Sequence, residues 1–103
     1  MIYTLPRYSE GFLRYEAIYR EISECLLHSE KPVSTKEICR KITNETGQEK
    51  YKHIQVICAV RELCNLAIIK PVGKTKRGHT YAVSVEYRNP LATKLSALKE
   101  AAV

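Results

Sequence analysis

Residues 33–85 read VSTKEICRKITNETGQEKYKHIQVICAVRELCNLAIIKPVGKTKRGHTYAVSV, and this stretch decides the fold. Ser34-Thr35-Lys36-Glu37 is a capping-box signal: a hydroxyl serves the amide three residues on, and a carboxylate reaches back. The helix it opens runs to about Glu45 and buries Ile38, Cys39 and Ile42. Thr46-Gly47 supplies the stop, because glycine tolerates the left-handed conformation that ends a helix. A third helix is expected from about Glu49 to Asn65. Its buried side would be His53, Val56, Ile57, Val60, Leu63 and Cys64. Its outer side would be Lys50, Tyr51, Ile54, Gln55, Cys58, Arg61 and Glu62. Leu66 to Val72 reads as a strand, Gly73 to Gly78 as a basic turn, and His79 to Val85 as the return strand. On the return strand Tyr81, Val83 and Val85 alternate with Thr80, Ala82 and Ser84.

Working outward, Ser9 is placed to cap a first helix ending near His28 or Ser29. Phe12, Tyr15, Ile18, Tyr19, Ile22, Cys25 and Leu26 form its apolar stripe. Lys31-Pro32-Val33 then breaks it into a short extended link. After the hairpin, Asn89-Pro90 signals a last helix to about Ala102. Its stripe, Leu91, Leu95, Leu98 and Ala102, has the narrow spacing of a two-helix seam. It suits either the chain's own core or a second copy. Leu13, Ala17 and Leu27 lie off the first helix's stripe and would join the same interface.

Composition narrows the function classes. The 103 residues suit one domain with a modest core. The net charge is +6, and it is unevenly placed: residues 1–49 sum to −1 and residues 50–103 to +7. Such asymmetry suggests a polyanionic partner. Every acid is Glu, which removes Asp-based triads, dyads and calcium loops. His28, His53 and His79 fall on separate elements, and no nucleophile-plus-base spacing, phosphate loop or metal motif occurs. No enzymatic activity, cofactor, metal or small-molecule ligand is therefore expected. Cys25, Cys39, Cys58 and Cys64 show no CxxC pair, so free thiols are the first expectation and a structural disulfide the second. No stretch approaches a membrane span, and Met1–Tyr8 lacks a basic stretch followed by an apolar one. A cytoplasmic location follows as the expectation.

The order helix, short strand, helix, turn, helix, hairpin, helix resembles a winged helix-turn-helix domain over residues 9–87. The quoted stretch carries the resemblance, with glycine often found in the family where Ala67 stands. Short transcriptional regulators of archaea, their viruses and plasmids are similar. The resemblance implies an α+β fold, a three-helix core with a β-hairpin wing, in three parts. These are an arm at 1–8, the DNA-binding domain at 9–87, and a dimerisation helix at 88–103. It implies a homodimer on double-stranded DNA, with Leu91, Leu95 and Leu98 at the dimer contact.

The helix over 49–65 would then enter the major groove. Lys50 and Lys52 suit phosphates, and Tyr51 suits phosphate or base. Ile54 can cover a thymine methyl, Gln55 can pair with adenine, and Arg61 can reach backbone or guanine. Lys74, Lys76, Arg77 and His79 in the wing suit phosphates or the minor groove. Ser34, Thr35 and Lys36 could hold a further phosphate. Two other functions keep parts of this scheme. One is an architectural, replication or plasmid-partition protein that coats DNA. The other is a protein-interaction module, which the outward Ile54 and Cys58 would suit and the basic wing would not.

Overall fold

The first expected helix is two helices. The computed structural model describes Leu5, residues 9–76 and residues 78–101. In it α1 (Ser9–Tyr15) and α2 (Ala17–Leu27) meet at Glu16, whose backbone is extended. The break leaves carbonyls at the end of α1 without helical partners. Arg20 supplies them: its Nη1 donates to the carbonyls of Leu13 and Arg14, both at 2.8 Å. The break also corrects the expected stripe. Leu13 is fully buried in the chain's own core, while Phe12, Ile18 and Leu27 are half-buried. Tyr19, Ile22, Ser23 and Leu26 are buried on α2. Phe12 and Tyr19 bridge the two helices edge to face, with centroids 5.0 Å apart.

After β1 (Val33–Ser34), α3 spans Thr35–Lys41. Ser34 caps it as expected, its Oγ accepting from the Glu37 amide at 3.3 Å. The helix stops short of Glu45, and residues 42–52 form a knitted loop instead. Thr43 pairs with Glu49 as an antiparallel bridge. The Asn44 side-chain oxygen accepts from the Thr46 amide, the Thr46 hydroxyl and the Gln48 amide. Gly47 does hold a positive φ of 84°, but within this loop rather than as a helix cap. The next helix, α4, consequently starts later than expected and spans His53–Asn65.

The exit from α4 runs through Ala67, at φ 63°. The Ile68 amide donates to Leu63 O at 3.1 Å and the Ala67 amide to Cys64 O at 2.9 Å. These are the two bonds of a Schellman ending, here built on alanine. The buried Ser84 hydroxyl then donates to Ala67 O at 2.8 Å. β2 (Ile69–Thr75) and β3 (Gly78–Val83) form the hairpin, and the sheet order is β1-β3-β2, all antiparallel. Thr75 pairs with Gly78, so the strands continue through the expected 73–78 turn and the reversal is tighter. The register shifts between Pro71 and Gly73, a bulge on an edge strand, where proline's missing N–H is tolerated. The expected alternation ends at Val83. Ser84 is buried and Val85 is 76% exposed, because the chain turns into a 3-10 helix at Val85–Tyr87.

The last helix, α5 (Arg88–Ala101), follows directly, one residue ahead of the expected Asn89 cap. It packs on α2. Leu91 and Leu95 are buried in the core with Leu13, Ile22, Val60 and Leu63, and Leu98 packs against that core half-buried. Of the expected dimer contact, Leu91 and Leu95 are thus taken up by the chain's own core, and Leu98 keeps part of its surface. Arg88 Nη2 donates to Leu27 O at 2.9 Å, and Lys99 pairs with Glu24. The architecture is α+β, with five α-helices and one small antiparallel sheet among the described residues. No helix among them is long and apolar enough to cross a membrane. The cysteines are free thiols. The 1–8 arm, save the half-buried Leu5, and Arg77 and Ala102 lie outside the described residues.

Candidate nucleic-acid interface

Helix α4 has one face in the core and one in solvent. Val56, Ala59, Val60 and Leu63 are buried, with Ile57 and Cys64 half-buried beside them. Ile54, Cys58, Arg61 and Asn65 are all exposed. At about 100° per residue these four fall within a sector of about 60°, opposite the buried side. Ile54 stands out as an aliphatic side chain that is 62% exposed. His53 was expected inside, but it is exposed at the first turn. Its Nε2 lies 3.1 Å from the Thr35 hydroxyl, which ties the start of α3 to the start of α4.

The entry to α4 is stitched to its neighbours. Lys52 occupies the cap position, and its backbone N–H donates to Gln55 Oε1 at 2.8 Å. The oxygen Gln55 would offer to adenine already accepts a hydrogen bond. Lys50 and Tyr51 precede the helix rather than lying on it. Lys50 Nζ pairs with Glu21 of α2 and sits 5.7 Å from the Tyr51 ring centroid. The hydrogen bond to Glu21 holds the Lys50 ammonium above its usual range. Tyr51 is half-buried against the core, and burial, then the nearby Glu21, push its phenol up. These two residues join α2 to α4 before they offer anything to a partner.

The hairpin is different. Every residue of β2 after Ile69 is exposed, so the strand meets solvent on both faces. Lys70 and Lys74 are exposed on it and Lys76 in the turn after it, and Lys74 pairs across the ladder with His79, also exposed. A Cβ at Gly73 would come 2.9 Å from the Thr80 hydroxyl, so glycine suits the close strand approach beside the bulge.

The start of α3 contributes less than expected. Ser34 is 3% exposed and spent on its cap, which takes it out of any phosphate contact. Thr35 is half-buried beside His53, and only Lys36 of the three is well exposed. Two exposed residues were missed from the sequence, Asn65 and Lys70. Asn65 extends the 54–58–61 spacing by one turn and was legible as such. Lys70 sits in the run that reads as a strand over 66–72, which gives its side chain no particular role. Burial raises the thiols of Cys25, Cys39 and Cys64, while Cys58 is exposed on the outer face of α4. No group of His, Cys and Glu side chains among the described residues could hold a metal ion. No protein-family model, curated protein or solved structure matches this chain.

Proposed function

We propose that the chain is a double-stranded DNA-binding protein of the winged helix-turn-helix type, acting as a transcriptional regulator. The observation that carries this is the β2–β3 hairpin. Lys70 and Lys74 are exposed on β2, a strand solvated on both faces, and Lys76 is exposed in the turn that follows it. These three ammonium groups repel one another. Phosphates turn that repulsion into attraction and release counterions on binding. Beside it, α4 offers a free face on a helix of 13 residues, about 20 Å long, a shape the major groove admits. In this scheme α4 meets base edges, the hairpin follows backbone or minor groove, and Lys52 and Arg61 flank the reading face.

The proposal assigns no catalytic activity and no cofactor. Free thiols and a nucleic-acid partner suit a reducing cytoplasmic compartment. A homodimer built on Leu91 and Leu95 forms no part of it, since α5 is spent on its own core. DNA contact is placed on each chain's own surface.

The test is an anisotropy titration of the whole chain against duplex DNA over a range of salt. Affinity should fall steeply, by about 0.9 in log–log slope per phosphate contacted. Lys74→Ala and Lys76→Ala should each lower that slope and weaken every sequence alike. A flat salt dependence, or no binding to any duplex, would overturn the proposal. Footprinting separates its two forms: discrete protection supports a regulator, and spreading protection supports a coating protein.

A further inference from the structure

The outward line of α4 has an unusual centre for a helix that would face a polyanion. Ile54 is 62% exposed, and Cys58, one turn on, is exposed beside it. Lys52 precedes them and Arg61 and Asn65 follow, all exposed. The charged flanks fit phosphates or polar base edges. The apolar pair fits neither, because neither side chain matches the strong donors and acceptors of a base edge.

The major groove carries one apolar feature, the C5-methyl of thymine. Resting on that rationale and on the DNA-binding reading above, we infer that Ile54 and Cys58 recognise thymine methyl groups, and that the preferred ligand is a T·A-rich major groove. Guanine is disfavoured by the same contact. Covering its N7 and O6 with an aliphatic surface removes water and gives no donor in return. The Gln55 oxygen, already accepting from the Lys52 amide, is less free to complete a bidentate pair with adenine. Ile54 and Cys58 stand about 6 Å apart along the helix axis. Base steps along a strand are about 3.4 Å. With the helix lying along the groove, the pair therefore spans about two steps.

The experiment uses the whole chain and four duplexes of equal length: alternating A·T, the same with uracil for thymine, alternating G·C, and the same with 5-methylcytosine. Uracil lacks only the methyl, and 5-methylcytosine adds it to a G·C pair. Each methyl covered should tighten binding about fourfold. The thymine duplex should then bind more tightly than the uracil duplex, and 5-methylcytosine more tightly than cytosine. Ile54→Ala, at an exposed helical site, should weaken the thymine duplex more than the uracil duplex and so shrink the difference between them. Lys74→Ala should weaken all four duplexes equally. Equal affinity for the thymine and uracil duplexes would overturn the inference and leave DNA binding standing. So would an Ile54→Ala loss that is the same for both. Failure to bind any of the four would overturn the DNA reading itself and turn Ile54 and Cys58 into a protein contact.

Discussion

Ala67 holds a backbone conformation that its own Cβ disfavours. Its φ of 63° lies in the left-handed region, which costs a non-glycine residue about 1–2 kcal/mol. The residue keeps it because both bonds of the α4 ending and the Ser84 hydroxyl depend on that turn. Ala67→Gly relieves the strain but gives the unfolded chain more freedom, an offset of about 0.4–1 kcal/mol. The net expectation is a gain of about 0.5–1 kcal/mol, read as a higher urea midpoint with unchanged m. A lower midpoint would contradict the positive φ. Ser23 is a second local fault. It is fully buried on α2, and its hydroxyl has no hydrogen-bond partner. Ser23→Ala removes an unsatisfied polar group and improves helix propensity, so stability should rise by about 1 kcal/mol. Thermal melts of the two variants would check it, and a lower melting temperature would mean that the hydroxyl has a partner after all.

Helix α5 illustrates how one spacing serves two architectures. Leu91, Leu95 and Leu98 suit a seam with a second copy as well as a seam with α2, and periodicity alone does not separate them. Burial does: Leu91 is wholly enclosed by its own chain. Leu91→Ala should therefore cost about 2–5 kcal/mol of folding stability. The melting temperature should not depend on protein concentration in either form, as it would if this seam joined two chains. A concentration-dependent melt abolished by the substitution would restore the dimer contact. The same distinction explains what was legible elsewhere. The start of α3 was readable because its cap is local, Ser34 to Glu37. The break at Glu16 was not, because no glycine or proline marks it and Arg20, on an apparently solvated face, reaches back to satisfy the carbonyls. The late start of α4 was hidden for a similar reason. Nothing in Gln48 to Lys52 forbids helix, and the loop is set by the side-chain oxygen of Asn44. The outward face of α4 followed from helical spacing alone, but the withdrawal of Lys50 and the Gln55 oxygen from it, and of Ser34 at the start of α3, depends on contacts no spacing reveals.

Across the whole molecule the charge division is partly closed from within. Lys50 and Lys99 belong to the basic half, yet they pair with Glu21 and Glu24 of the acidic half along α2. Lys70, Lys74 and Lys76 of the hairpin and Arg61 on the outer side of α4 stay exposed. Titration binds the molecule together in a second way. Burial raises the thiols of Cys25, Cys39 and Cys64, and, as the leading cause, the phenols of Tyr19 and Tyr51. Glu21 raises the Lys50 ammonium through its hydrogen bond. All six shifts have one sign. A group whose folded pKa is raised keeps its proton in the native state while the unfolded chain has begun to lose it. Its contribution is complete below the unfolded value and disappears as pH rises through the folded one. The thiols therefore begin to erode stability from about pH 8.5, and the phenols and Lys50 join above about pH 10. Melting temperature under a reducing agent should fall progressively from pH 8 to pH 11. Cys39→Ala should make the early part of that fall shallower by removing one of the contributing thiols. A melting temperature that holds or rises across this window would contradict the buried, protonated thiols on which the fall depends.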